Sequence, residues 1–152
     1  MRREPRRTAL CDANVLIALF DESHIHHEAA HDWFADDGSS RWASCATTEA
    51  GFLRILGNPR LGVTETRAVL LSSLRSLCKT SGHEFWSESV SLRDDTLFDD
   101  SVLVSHRQLT DIYLLGLAVR MDGRLATFDR GIPLAAVRGA VAERHLALLG
   151  AD

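Results

Sequence analysis

Apolar positions along the chain alternate between short runs and helical stripes. Thr8 to Cys11 is an apolar run that ends on Asp12, and Ala13 to Phe20 then reads as the opening turns of a helix. Ile25 to Asp36 puts Ala29, Ala30, Trp33 and Phe34 on one side of a second helix and charged residues on the other, until Gly38, Ser39 and Ser40 stop it. Trp42 to Ala46 predicts a second short strand. A helix from about Thr48 to Leu56 follows, terminated by the turn residues Gly57, Asn58 and Pro59.

From Thr64 to Lys79 the residues Ala68, Leu71, Leu74 and Leu77 recur at helical spacing, and His83 to Trp86 supplies a third strand. Leu92 to Val104 predicts a further helix. Thr110 is the expected cap of the next one, with Leu114, Leu115, Ala118 and Val119 as its buried stripe and Asp122-Gly123 as the turn behind it. Arg124 to Thr127 predicts a strand running into Phe128 and Asp129, and Arg144 to Leu149 a last strand. This alternation predicts an α/β fold, a mostly parallel central sheet flanked by helices on both faces. One domain spans residues 8–149, behind a basic extension, residues 1–7, that holds Arg2, Arg3, Arg6 and Arg7.

Composition supports one ordinary globular domain: 152 residues, 45% hydrophobic and 25% charged. A chain of this length buries roughly 70% of its unfolded surface, so it folds without a metal or disulfide staple, and a bound metal would serve chemistry. Cys11, Cys45 and Cys78 are odd in number and lack C-x-x-C spacing, which argues against a disulfide framework or a structural zinc and for reduced thiols in a cytoplasmic protein. The arginines near the start do not head a signal peptide, because Asp12 and Asn14 interrupt the apolar stretch behind them. No segment approaches the roughly 20 apolar residues of a membrane span. The net charge of −4 does not by itself point to nucleic acid, although every basic residue except Lys79 is arginine, whose planar fork suits phosphate.

In an open α/β sheet, ligands bind beyond the carboxyl ends of the strands, and four acids fall at such ends. Asp12 ends the first strand, Glu49 lies in the first turn of the helix after the second, Asp111 opens the helix after Thr110, and Asp129 ends the strand from Arg124. Glu49 shares a face with Phe52, Leu53 and Leu56, and Asp111 with Leu114, Leu115 and Ala118, so both continue inward stripes. Taken singly, an acid in a first helical turn is explained by the helix dipole, and Asp129 before Arg130-Gly131 by turn chemistry. Asp12 inside an apolar sequence is harder to explain without a partner. Converging carboxylates are economically satisfied by Mg²⁺ or Mn²⁺, which take oxygen ligands. His27 and His31, one helical turn apart, lack a third ligand at metal spacing and read as a solvated helix face; Trp33, Trp42 and Trp86 read as core.

Four segments carry a resemblance: Asp12-Ala13-Asn14-Val15-Leu16-Ile17, Thr48-Glu49-Ala50-Gly51-Phe52-Leu53-Arg54, Arg107-Gln108-Leu109-Thr110-Asp111 and Ala126-Thr127-Phe128-Asp129. In order and content they resemble the acidic signatures of PIN-domain ribonucleases, more narrowly the VapC-type toxins of bacterial toxin–antitoxin pairs. The resemblance implies a metal-dependent endoribonuclease cutting structured RNA, tRNA or rRNA, by metal-activated water. It implies Asp12 and Asp111 as direct Mg²⁺ or Mn²⁺ ligands, with Glu49 and Asp129 completing the catalytic site and Asn14 and Thr127 as hydrogen-bonding support. Arg107, Arg130 and the Arg2 to Arg7 tail are candidate phosphate contacts. A homodimer and a cognate VapB-type antitoxin, lying along the active-site groove, are the implied partners. Two other readings stay open: a haloacid-dehalogenase-like Mg²⁺ phosphatase, for which Asn14 stands where a second aspartate is usual, and a non-catalytic PIN-fold module that only binds RNA or protein.

Overall fold

Every residue of β1, Ala9–Cys11, is buried, as a strand covered on both faces of a parallel sheet must be. In the computed structural model, which describes residues 6–62 and 64–150, β1 is the middle of five strands. The others are β2, Trp42–Cys45; β3, His83–Trp86; β4, Arg124–Thr127; and β5, Leu146–Leu148. Their order is β3-β2-β1-β4-β5, and all four pairings are parallel. The chain builds outward from β1 in one direction through β2 and β3, then returns to the other side of β1 for β4 and β5. A crevice therefore opens at the carboxyl ends of β1 and β4, where the winding reverses.

Six helices connect the strands: α1, Ala13–Phe20; α2, His27–Asp36; α3, Ala46–Leu56; α4, Arg67–Cys78; α5, Leu109–Arg120; and the short α6, Ala142–His145. Alternating strand residues feed two cores. Ala9, Cys11, Trp42 and Ala126 pack with α1, α3 and α4 on one face, and Leu10, Ala43, Cys45 and Leu125 pack with α5 on the other. The predicted layering, helices on both faces of a parallel sheet, is what the structure has. The third strand and the last strand both form. Cys11 and Cys45 are buried, Cys78 is half-buried, and all three thiols are free. No helix of the described residues is long and apolar enough to cross a membrane.

Three expectations are corrected. Leu92 to Val104 is not a helix. Asp94 accepts from the backbone N–H and hydroxyl of Thr96 (3.0 and 2.6 Å), and Asp99 does the same with Ser101 (3.0 and 2.6 Å). These local side-chain bonds compete with helical ones. The segment instead bridges the 134–137 region, with Asp99 donating to the Ala136 carbonyl at 2.9 Å and Leu97 accepting from Arg138 at 2.7 Å. Thr110 is not a cap either. Gln108 precedes α5, and the entry is set by a short 3₁₀ turn, His106–Gln108, closed by a reciprocal Ser105–Gln108 capping box.

The third correction concerns the basic extension, of which residues 1–5 lie outside the described residues. Arg6 pairs with Asp37 at 3.1 Å and Arg7 with Asp122. Arg124 at the start of β4 grips Asp37 through both guanidinium nitrogens, at 2.9 and 2.7 Å. This cation–carboxylate network closes the amino ends of the strands, the end opposite Asp12, so Arg6 and Arg7 are engaged in structure there and not beside the acids.

The loop that replaced the predicted helix is anchored by Phe98, whose ring fills the space over Gly116 of α5; a Cβ at Gly116 would sit 2.3 Å from the Phe98 ring. Gly116→Ala should therefore destabilise the protein by about 1–3 kcal/mol through overpacking, outweighing the ~1 kcal/mol that helix propensity alone would add. Urea denaturation measures this, and a raised midpoint would mean that the loop does not pack as described.

Candidate active site

Asp12 stands one residue beyond β1 and caps α1, its carboxylate accepting from the Val15 N–H at 3.0 Å. Its backbone N–H donates to the Ala126 carbonyl at 3.1 Å, which ties the end of β1 to the end of β4. The residue is only 4% exposed. Burial raises its pKa, opposed by hydrogen bonds from the Thr127 hydroxyl and from the backbones of Val15 and Asn14, while Asp129 pushes it up further. Asp12 is thus a buried carboxylate with an assigned set of donors.

Thr127, fully buried at the end of β4, links two acids: its hydroxyl bonds Asp12 and also accepts from the Asp129 N–H at 3.1 Å. Asp129 makes the expected turn as well, taking the Gly131 N–H at 2.8 Å. Across the crevice, Asp111 in the first turn of α5 is half-buried beside Leu114, Leu115 and Ala118, the stripe anticipated for it. Its pKa is pushed up to about 7, first by burial, then by the charge of Asp12, then by a hydrogen bond and repulsion from Asp129. Three acids from three separated segments therefore crowd one another at the reversal of the winding. Such a set holds a proton or a cation, because like charges this close cannot all ionise unaided. With oxygen donors only, and an open arrangement that leaves room for water, it fits a hard divalent ion.

Asp12 and Asp111 line a cavity of about 220 Å³ together with Asn14, Thr47, Gly51, Arg54 and Thr110. Gly51 is needed where α3 meets α1, since a Cβ there would lie 3.0 Å from that of Ala13. Arg54 is a cation on the cavity wall that the sequence reading passed over; its signal was the spacing of Thr47, Gly51 and Arg54, one face of α3. Thr47 is itself held by Glu88, behind β3, whose carboxylate takes the Thr47 N–H at 3.2 Å and its hydroxyl. Glu88 also had a legible signal, an acid just past the carboxyl end of a strand.

Glu49 is not brought into this cluster. It lies on the Phe52 and Leu56 stripe as expected, but that stripe faces the core shared by α1 and α4. Two residues along a helix turn the side chain about 200° from Thr47. Glu49 instead accepts from the Ser44 hydroxyl at 2.6 Å. Arg107 is exposed in the turn before α5, and Arg130 donates to the Gly150 carbonyl at 3.0 Å. Lys79 follows α4 just before the amino end of β3, at the end of the sheet opposite the acids. His27 and His31 bond the Ala18 and Leu19 carbonyls at the end of α1, at 2.7 and 2.8 Å, and serve as a helix terminus.

A sequence model of the PIN domain matches residues 9–138. Ribonuclease VapC44 of Mycobacterium tuberculosis (strain ATCC 25618 / H37Rv) is 46% identical over 141 residues, covering 93% of this chain and 99% of that protein. Ribonuclease VapC39 of the same strain is 41% identical over 135 residues, covering 88% and 97%. Among solved structures, VapBC2 from Rickettsia felis bound to a DNA fragment from their promoter superimposes with a TM-score of 0.56 over 94% of this chain and 99% of that one, at 10% identity, a likeness of fold.

The raised pKa of Asp111 sets a direction. A carboxyl that keeps its proton up to about pH 7 when folded contributes stability that is fully present below about pH 4 and is lost as the pH climbs through 7. A divalent ion must displace that proton. Calorimetric titration with Mn²⁺ should show affinity rising about tenfold per pH unit between pH 5 and 6, with one proton released per ion, and levelling above about pH 7; a flat profile would remove Asp111 from the ligand set.

Proposed function

The chain belongs to the PIN-domain family, among the VapC ribonucleases, and we propose that it is a divalent-metal-dependent endoribonuclease toxin that cuts structured RNA, tRNA or rRNA, and is neutralised by a VapB-type antitoxin. The observation that carries this reading is the convergence of Asp12, Asp111 and Asp129, from the ends of β1 and β4 and the start of α5, with Asp111 pushed up to about 7 by its neighbours. A homodimer is the assembly this reading brings with it.

When bound, Mg²⁺ or Mn²⁺ would supply acidification of the attacking water and positive charge against the phosphodiester. Asp12 and Asp111 would hold the ion. Asp12 does so from a fixed pose, because the Val15 N–H and the Thr127 hydroxyl already occupy part of its oxygen surface. In this reading Asp129, exposed and touching Asp111, takes the proton of the attacking water. Arg54 on the cavity wall orients the scissile phosphate, and the exposed Arg107 and Arg130 contact flanking ones. Asn14, exposed on the first turn of α1, lines the same cavity and offers its amide to the substrate. Asp111 must shed its proton before it can hold an ion, so cleavage rises with pH up to about 7.

The test is cleavage of total cellular RNA by the purified protein with Mg²⁺ or Mn²⁺ and with chelator. Discrete, chelator-sensitive fragments are expected, with Asp12→Asn and Asp111→Asn slower by at least about 10²-fold and Thr127→Val by about 10–100-fold. Glu49→Gln, whose oxygen faces Ser44, should stay within about tenfold of the wild type. Cleavage that survives Asp12→Asn and Asp111→Asn would overturn the assignment.

A further inference from the structure

Away from the acids, on the face of the sheet covered by α3 and α4, four side chains from four elements meet over the β2–β3 pair. Ser44 of β2 is fully buried, and its hydroxyl donates to Glu49 Oε2 of α3 at 2.6 Å while lying 2.8 Å from His83 Nε2 at the start of β3. Cys78, at the end of α4, reaches the same hydroxyl with its thiol. Among the described residues, Glu49, Cys78 and His83 are the one set of three His, Cys, Asp or Glu whose ligand atoms all lie within 4.8 Å of one another.

The donor set is unlike that of the acid crevice. One carboxylate, one thiol and one imidazole are the ligands of a borderline-soft ion such as Zn²⁺, and three protein ligands leave a fourth position for water. Charge closes as well, since Glu⁻, Cys⁻ and neutral His neutralise a divalent ion. The ring is already oriented: His83 packs against the buried Trp42 indole, ring centres 4.4 Å apart, and leans on the Cys78 backbone carbonyl. Ser44 has one hydrogen, given to Glu49. A neutral ring has one N–H for two acceptors, the Cys78 carbonyl and Ser44 Oγ. With that N–H on the Cys78 carbonyl, the Nε2 lone pair faces the cluster, where a cation satisfies it.

The geometry points to a second metal site, in which Glu49, Cys78 and His83 bind a transition ion of the Zn²⁺ class, independently of the acid crevice. Binding releases the thiol proton to solvent and changes no oxidation state. Each ligand is partly exposed, so the ion has a path in.

Co²⁺ added to the metal-free full-length protein is the probe. One equivalent should produce a thiolate-to-cobalt charge-transfer band, bleached by Zn²⁺ and unaffected by excess Mg²⁺. The band should be lost in Cys78→Ser and His83→Asn but kept in Asp12→Asn/Asp111→Asn, which removes the acid site. On the unmutated protein, Zn²⁺ should slow alkylation of Cys78, located by mass spectrometry, by at least about tenfold. No cobalt band, a band that survives Cys78→Ser, or Cys78 alkylation indifferent to Zn²⁺ would each overturn the site. None of these readouts depends on RNA cleavage.

Discussion

The carboxylate of Asp12 is buried where the winding of the sheet reverses, and the rest of the molecule is arranged around that fact. An ionised group this enclosed is costly unless it is compensated. The fold compensates it locally, with the first turn of α1 and the Thr127 hydroxyl. It leaves the remaining charge exposed to a crevice that holds two further acids. A cation is the term that completes the balance, and this is why a structural constraint and a chemical one coincide at one residue.

The parallel sheet makes the coincidence possible. The strands start at one end, where Arg6, Arg7 and Arg124 pair with Asp37 and Asp122, and finish at the other, where Asp12 and Asp129 lie. The overall charge of −4 conceals this arrangement, a paired cation–carboxylate network at one end and a cluster of three acids at the other. The network at the amino ends is bidentate and partly buried, which lets it brace β1 and β4, the two strands whose carboxyl ends carry Asp12 and Thr127.

Helix α3 divides two chemistries between its faces. Thr47, Gly51 and Arg54 turn to the acid crevice, while Glu49 turns to Ser44, His83 and Cys78. Hard oxygen ligands stand on one side and a mixed oxygen, sulfur and nitrogen set on the other, so the two sets select different ions by the nature of their donors. Proximity in sequence conceals this, since Thr47 and Glu49 are two residues apart.

Much of the protein was decided by local sequence. Strand and helix alternation, the apolar stripes of α1, α3 and α5, and the placement of Asp12 and Asp129 after strands and of Asp111 at a helix start follow from periodicity and turn chemistry, which act over a few residues. The helix wrongly expected over Leu92 to Val104 shows the limit: apolar spacing there serves contacts with the Ala136 region and Gly116, far off in the chain, and Asx turns win locally. The direction of Glu49 and the meeting of Cys78 with His83 belong to the tertiary structure alone. An inward stripe states that a side chain is covered, but which core covers it depends on the side of the sheet to which the helix is folded, and that is set by long-range packing.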